Sequence, residues 1–486
     1  MKRFSLLVCI VIMLTAFTGC QTGSKVAKDE VEEASISTTE LQIAEIQLTD
    51  EEWEAKIEEA DPNLSKQAKQ FQQILPLTVK QSYNFCAYAR FILNDDIKEW
   101  SLGTTNIDYS TLPDLLTFED GTPVSNDKAD LEKRRAEMLE LLQEYVYGPI
   151  PTDGYTTAFE ILEEGTALEG AAKRKQIQIT ISTEKGSLPM NVLLYTPSAS
   201  TSAPVILCLT SGNYTVLDDP DILCDASGAS NPEWQTKRGS SMSTYNIAEG
   251  ISKGYGYAFV SVNDIAPDSN EAYASYLVSL FDLPEFKALS AWSFGLSRAI
   301  DYLVTDSDVD SNKITTFGHS RYGKAALWCG ANDERVGLVL SNASGGGGAA
   351  LNRANTADNI SSLTKMEPWW FNSTYASYSD NPEDLLVDSH FTIACVAPRS
   401  VYIGNGDDDL WADPQGSLNG LLYAREMFEA YGLDVIPDSY VANETELSTG
   451  EHVWSKSMAT HLRDGFHSVD AEDWKNYFDY MDEYFK

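Results

Sequence analysis

The sequence is poor in histidine, cysteine and positive charge. Its 486 residues include five His and seven Cys, and 35 Lys plus Arg stand against 73 Asp plus Glu, which gives a formal net charge of −38. A field of that sign repels nucleic acids and anionic membrane surfaces, whose recognition needs clustered Lys and Arg. We therefore expect no nucleic-acid partner, and we interpret the acidity as a means of solubility outside the cell.

The few cysteines exclude two common kinds of site. Two of them fall within the first twenty residues, and the other five form no C-x-x-C pair: Cys86, Cys208, Cys224, Cys329 and Cys395. An odd number without paired spacing argues against a disulfide framework and against a zinc site. We expect most of the five to be small core residues, and we predict neither a metal nor a cofactor.

The first twenty residues have the features of an export signal. Lys2 and Arg3 precede an apolar run that is short for a membrane span. The run ends in Thr18-Gly19-Cys20, which resembles the lipobox of bacterial lipoproteins, where the Cys is lipidated and becomes the mature N-terminus. We predict an exported, cell-surface lipoprotein whose membrane contact is the lipid on Cys20. A plain secretory signal is the alternative.

The rest of the chain divides by composition into three parts. Residues 21–48 are polar and acidic, as in a flexible tether. Residues 49–111 carry helical patterns interrupted by Pro76 and are interpreted as a helical or irregular extension. From residue 112 the pattern changes to strands alternating with helices, and we predict one domain over 112–486.

The pattern within that domain predicts an α/β fold. A helix over 128–146 is followed by strand-like runs, then by alternating helices and strands: KQIQITIS, MNVLLYTP, APVILCLTS, YAFVSVND, FKALSAWSFGLSRAIDYLV, KITTFG, RYGKAALWCGA, VGLVLSNA, SVYIGNG and AEDWKNYFDYMDEYF. Continuous apolar strands alternating with helices predict a mostly parallel sheet covered by helices on both faces. Early hairpin-like strands before that alternation suit an α/β-hydrolase sheet.

A candidate nucleophile lies where an apolar strand meets a helix. In ITTFGHSRYGKAAL the strand ends at Gly318 and the helix starts just after Ser320. A Ser at such a turn can be held in a strained conformation with its hydroxyl exposed. The spacing G-x-S-x-x-G is one residue longer than the usual elbow. The alternative role for Ser320 is that of a helix N-cap.

A serine nucleophile needs a histidine base. His467 lies in a Gly-containing loop before the last helix, where α/β-hydrolases place their base. His319 adjoins the serine and is expected to point elsewhere, and His390 enters a buried run. His452 and His461 have no distinguishing context.

The acid that orients such a base should lie between Ser and His in the chain. The loop NGDDDLWADPQG, directly after a predicted strand, offers four candidates: Asp407, Asp408, Asp409 and Asp413. Asp413 precedes a proline, so we expect it to be a turn residue.

These stretches, taken in order, resemble the glucuronoyl esterases of carbohydrate esterase family 15. The resemblance covers most of 112–486 and is carried by these segments: LPDLLTFEDGTPV, RRAEMLELLQEYVYGPIP, SGNYT, NDIAPD, ALSAWSFGLSRAIDYL, GHSRYGKAAL, VAPRSVYI and DLWADPQG. The G-x-S-R-x-G-K form is specific, and the longer elbow is usual in this family. The resemblance implies an α/β-hydrolase fold.

The resemblance also implies roles for individual residues. Ser320 corresponds to the nucleophile, His467 to the base and, by alignment to DxWADP, Asp409 to the acid. Arg321 resembles the family's oxyanion-stabilising arginine, because a guanidinium beside a developing alkoxide stabilises its charge. Lys324 lies one helical turn beyond the serine, on the same face, and resembles the lysine that hydrogen-bonds sugar hydroxyls.

The substrate side shows one further match and two departures. Trp411 resembles the tryptophan that borders the uronate, with core packing as the alternative. Some family members carry a Glu on the loop after the strand that follows the nucleophile helix, where this chain has Ala343. A sugar-contacting Glu is replaced by Asp358, which is one methylene shorter.

The implied reaction is hydrolysis of an ester of glucuronic or 4-O-methylglucuronic acid, as between xylan side chains and lignin alcohols, by a monomer. One alternative is an esterase for another ester, such as an acetylated sugar. The other is a carbohydrate-binding surface lipoprotein with a decayed site, which Ala343 and Asp358 keep open.

Overall fold

The computed structural model describes residues 109–228, 238–353, 358–409 and 411–485. The predicted signal with Cys20, the predicted tether and all of the predicted extension except residues 109–111 lie outside the described residues. Those predictions remain predictions.

The described residues contain a ten-stranded sheet with the order β1-β2-β3-β5-β4-β6-β7-β8-β10-β9. The strands are β1 Thr156–Ala167, β2 Ala172–Thr183, β3 Gly186–Pro197, β4 Ala203–Thr210, β5 Gly256–Ser261, β6 Val309–His319, β7 Val336–Asn342, β8 Ser400–Gly406, β9 Glu451–Trp454 and β10 Met458–Arg463. The six neighbours from β5 to β10 run parallel, and antiparallel strands flank them on both sides. The predicted mostly parallel sheet is confirmed.

Helices cover both faces of this sheet. The α-helices are α1 Lys128–Leu142, α2 Met242–Tyr245, α3 Ile247–Lys253, α4 Ala288–Leu303, α5 Arg321–Asn332, α6 Ile360–Met366, α7 Ser373–Ala376, α8 Ser389–Ala394, α9 Pro414–Ala430 and α10 Ala471–Tyr484. Side chains alternate along a strand: in β4, Val205 and Leu207 join the core cluster that includes α4 and α5, whereas Ile206 and Cys208 join the one that includes α3 and α10.

The sequence-predicted elements are present, but three strands and six helices of the structure are not predicted by the sequence pattern. The predicted first helix is α1, continued by a π-helical turn at Gln143–Tyr147. The elements without a prediction are β1, β9, β10, α2, α3, α6, α7, α8 and α9. β1 is an edge strand with mostly exposed residues, so it lacks the continuous apolar run that marks the central strands.

Three of the predicted core cysteines are buried as expected, namely Cys208, Cys329 and Cys395, whereas Cys224 is exposed.

None of the helices in the described residues combines the length and the apolar content that a membrane crossing requires.

Two buried carboxylates face each other beside β5. Asp264 accepts backbone hydrogen bonds from Asn191, Ala226 and Ser227 at 2.8–3.0 Å. Asp225 is also buried, and burial together with the Asp264 charge raises its pKa from 3.8 to about 6. The folded state therefore binds this proton more tightly than the unfolded state does, and the group's contribution to stability falls as pH rises from about 4 to about 6.

We predict that Asp225→Asn stabilises the protein at neutral pH, because the amide carries no charge to desolvate. The free energy of unfolding should rise by about 1–3 kcal/mol at pH 7.5, and the gain should nearly vanish at pH 4, where the parent carboxyl is protonated in the fold. Urea unfolding at both pH values measures this. The exposed Asp153→Asn variant is the control, and an equal gain at both pH values would contradict the prediction.

Candidate active site

The parallel strands bring the predicted catalytic residues to one edge of the sheet. Ser320 follows β6, Asn342 ends β7, Asp409 follows β8 and His467 follows β10. These four strands are consecutive neighbours in the sheet. Because the carboxyl ends of parallel strands meet at the same edge, residues nearly 150 positions apart lie close together.

Ser320 has the strained conformation expected of an exposed nucleophile. Its backbone lies at φ 59° and ψ −129°, and its side chain makes no capping hydrogen bond to α5. Such a conformation costs about 1–3 kcal/mol and persists only where its surroundings fix it. Here the Ser320 amide donates to the Asn342 carbonyl at 2.9 Å. The Ser320 side chain therefore does not cap α5, as the N-cap alternative would require.

Two glycines make this turn possible. A Cβ on Gly318 would lie 2.0 Å from the Tyr322 carbonyl oxygen, and one on Gly323 would lie 3.0 Å from the Asn342 carbonyl oxygen. The first distance is impossible for any side chain, and the second is tight. The two close approaches give a physical reason for the G-x-S-x-x-G spacing.

His467 is paired with Asp409. The Nδ1 atom of His467 lies 2.6 Å from the Asp409 Oδ2 atom, and the Asp409 side chain is fully buried. The other Asp409 oxygen accepts from the Ala412 amide at 3.2 Å. The rings of His467 and His319 are 4.5 Å apart, so the paired imidazole lies beside the strained serine turn.

The neighbouring aspartates have other partners. Asp407 accepts from the Gly465 amide at 2.8 Å and so ties the β8 loop to the β10 loop. Asp413 caps α9 by accepting from the Gly416 amide at 2.8 Å, which confirms the turn role expected of it. Of the four aspartates that competed, Asp409 is the one bonded to His467.

His319 is a fixed neutral neighbour rather than a second base. Asn342 donates its Nδ2 hydrogens to Asp473 and Tyr477, both at 2.8 Å, so its Oδ1 atom faces His319 Nδ1 at 2.8 Å. An amide oxygen only accepts, and Nδ1 therefore carries the proton. Burial, with the nearby His467, lowers the pKa of His319 to about 3.

Asp473 is the hub of this buried network. One oxygen accepts from Asn342 and from His461 Nε2 at 2.8 Å, and the other accepts from Arg463 Nε at 2.6 Å and from the Asp470 amide at 2.9 Å. Burial alone would raise the pKa of Asp473, but the hydrogen bond and charge of His461, with the charge of Arg463, hold it below its ordinary value.

Arg463 connects the hydrogen-bond network of Asp473 to the loop that holds His467. Its guanidinium donates to the carbonyls of Asp464 and Phe466 at 2.9 Å and to that of Ser468. These carbonyls lie on both sides of His467. The side chain is 1% exposed, so this anchoring is entirely internal.

The Arg321 side chain extends from the serine turn toward Asp268. Its Nη1 atom lies 3.0 Å from Asp268 Oδ2, and its guanidinium lies 5.6 Å from the centre of the Trp370 ring. The side chain is half-buried. Arg321 directly follows Ser320 in the chain, and a guanidinium close to a developing oxyanion can stabilise its charge.

Lys324 and Asp358, both predicted as sugar contacts, are buried and bonded to each other. The Lys324 ammonium donates to Asp358 Oδ2 at 2.7 Å and to the carbonyls of Ser344 and Gly346 at 2.7 and 2.6 Å. Burial lowers the pKa of Lys324 and raises that of Asp358, and the charge of each opposes the shift of the other. All three ammonium hydrogens have acceptors within the protein. Trp411 is partly buried two residues after Asp409.

Among the described residues, Asp407, Asp408 and Asp464 form the group that could hold a metal ion, with oxygen atoms within 4.8 Å of one another. Exposed acidic groups of this kind are common without an ion, and Asp407 already accepts hydrogen bonds from Gly465 and Thr449.

Sequence reasoning missed Asp268, Asn342, Arg463 and Asp473. Asp268 is the last residue of the segment NDIAPD, which the sequence analysis gives only as part of the family resemblance. For Asp473 the sequence pattern predicts only a place in the last helix. No local pattern marks a carboxylate whose partners come from two other strands.

The strand order and the strained serine between β6 and α5 define the class as an α/β-hydrolase. A family model described as "Glucuronyl esterase, fungi" matches residues 241–432. Solved structures of a promiscuous family 15 carbohydrate esterase from a marine bacterial metagenome and of a glucuronoyl esterase from Solibacter usitatus are 34% and 32% identical, with TM-scores of 0.70 and 0.71. Each alignment covers 78% of this chain and 100% of the other.

Curated relatives agree with these structures. Carbohydrate esterase MZ0003, from an unknown prokaryotic organism, is 35% identical over 392 residues, which are 77% of this chain and 89% of the relative. The 4-O-methyl-glucuronoyl methylesterase of Schizophyllum commune is 28% identical over 336 residues, 67% of this chain and 74% of that protein. The chain belongs to carbohydrate esterase family 15, the glucuronoyl esterases, and is a carboxylic ester hydrolase.

We predict that Asp473→Ala destabilises the fold by about 3–5 kcal/mol, because it leaves the buried Arg463 charge without its partner. Urea unfolding measures the loss. Asp479→Ala, on the same helix, breaks only an exposed pair with Lys475 and should cost less than about 0.5 kcal/mol. Similar losses in the two variants would show that Asp473 is not a hub.

Proposed function

We propose that this chain hydrolyses esters of glucuronic or 4-O-methylglucuronic acid, such as those between xylan side chains and lignin alcohols, with Ser320, His467 and Asp409 as its triad. The observation that carries the proposal is the 2.6 Å contact between His467 Nδ1 and buried Asp409 beside a strained serine. Names of relatives support the substrate class: those from several fungi are 4-O-methyl-glucuronoyl methylesterases.

The geometry supports a two-step acyl transfer. Asp409 accepts the Nδ1 hydrogen of His467, which leaves Nε2 free to take the Ser320 proton. Ser320 then attacks the C6 carbonyl, and Arg321 with backbone N–H groups stabilises the oxyanion. His467 gives the proton to the leaving alcohol, and the uronoyl group remains on Ser320 as an ester. His467 then takes a proton from water, whose oxygen attacks the C6 carbonyl, and it returns this proton to Ser320 Oγ as the bond to the uronic acid breaks.

On the sugar side we propose that Trp411 borders the uronate. A hydrogen bond from Lys324 to a sugar hydroxyl, as the resemblance implies, requires its ammonium to share or exchange one of three protein acceptors. Asp358 reaches Lys324 at 2.7 Å, so any sugar contact of Asp358 is shared with that ion pair.

We predict that Ser320→Ala abolishes release of glucuronate from benzyl glucuronate, lowering kcat by about four orders of magnitude or more. The alanine removes the nucleophile while the turn keeps its backbone contacts. An acetylated sugar in the same assay tests the alternative ester class. The reason to include it is that the similar family 15 esterase from the marine metagenome is described as promiscuous. Unchanged turnover by Ser320→Ala would rule out the triad. Carbohydrate binding without any hydrolysis by the parent would favour the decayed-site alternative.

We predict that Asp409→Asn lowers kcat about 100- to 10,000-fold with little change in KM, because an amide can hold His467 in the wrong tautomer. Steady-state kinetics with the same ester measures this. Asp408→Asn, one position earlier in the same loop, is the matched control and should stay within about threefold. Equal effects of the two substitutions would contradict the assignment of the acid.

We also propose that the protein is exported as a monomer anchored through a lipid on Cys20. The support is the charged start, the apolar run and the small residues before Cys20. Mass spectrometry of the mature N-terminal peptide should find a diacylglyceryl group on Cys20, and a cleaved but unmodified N-terminus would favour the plain secretory signal.

A further inference from the structure

The carboxylate of Asp268 has an unusual set of partners. Its Oδ1 atom accepts hydrogen bonds from two successive indoles, Trp369 Nε1 at 3.0 Å and Trp370 Nε1 at 2.8 Å. Its Oδ2 atom lies 3.0 Å from Arg321 Nη1. The two indoles are neutral donors, so the negative charge of Asp268 is balanced by Arg321.

The same indoles help to fix the arginine. The Trp370 ring lies 5.6 Å from the Arg321 guanidinium and 6.3 Å from the ring of the buried Trp292. The side chains of Asp268 and Arg321 are 17% and 28% exposed. Partial burial weakens screening by water, so this ion pair alters the field at the serine turn more than an exposed pair would.

This field acts on substrate and product differently. The ester is neutral at C6, whereas hydrolysis converts it to a carboxylate, an alcohol and a proton. An arginine without a counter-charge would hold the anionic product more tightly than the neutral ester. Resting on the function proposed above, we propose that Asp268 is a positioning residue that orients Arg321 and offsets its charge, so that glucuronate leaves the site after each turnover.

The test compares two competitive inhibitors, anionic glucuronate and its neutral analogue glucuronamide, during hydrolysis of benzyl glucuronate. In Asp268→Asn we expect the inhibition constant of glucuronate to fall about tenfold, because one nearby unit charge is removed, while that of glucuronamide changes less than threefold. Asp268→Glu keeps the charge and should retain the parent ratio of the two constants. A parallel change for both inhibitors would mean a structural role only and would overturn the proposal.

The parent protein provides a second measurement if Asp268→Asn does not fold. We expect glucuronate to bind the parent no more tightly than glucuronamide does, and glucuronate binding ten times tighter would overturn the proposal. Calorimetric titration of Ser320→Ala with both compounds gives the same ratio without turnover. Absence of ester hydrolysis by the parent would refute the proposed function, whereas normal hydrolysis with an unchanged ratio in Asp268→Asn would refute this inference alone.

Discussion

The buried carboxylate of Asp473 connects two parts of the site that the chain supplies from distant positions. Through Asn342, 131 residues away, it fixes the strand end that holds the Ser320 amide and the His319 ring. Through Arg463 it fixes the loop carbonyls around His467. A serine turn with positive φ and an imidazole on a loop both need such external support, because neither conformation is held by local hydrogen bonds alone.

The loop after β7 has Ala343 where some members of the family carry a Glu. In this loop Ala343 lies at φ 45°, and the carbonyls of Ser344 and Gly346 accept hydrogen bonds from the Lys324 ammonium. A Cβ on Gly345 would lie 2.1 Å from Asp358 Oδ2, so the loop has little room for a larger side chain beside that ion pair. Asp409, one strand further along the sheet, reaches His467 instead.

The sequence was sufficient for features that depend on local pattern. Apolar runs predicted the central strands, and the glycines around Ser320 predicted the strained turn. The position of Asp409 came from the family resemblance, since chemistry alone left four aspartates open. The Asp473 network and the Asp268–Arg321 pair could not be predicted, because no periodicity relates their members. Asp473 lies 10 residues from Arg463 and 131 from Asn342, and Asp268 lies 53 residues from Arg321. The three acceptors of Lys324 likewise appear only when the loop after β7 is folded.

The proposed reaction depends on the activation of Ser320 as a nucleophile. Its most direct test is labelling with a fluorophosphonate, followed by mass mapping of the modified peptide and assay of the labelled protein. We expect one phosphonyl group on Ser320 and turnover lost in proportion to labelling, with labelling slowed strongly in His467→Ala. Full turnover after stoichiometric labelling of Ser320, or labelling that does not depend on His467, would contradict it.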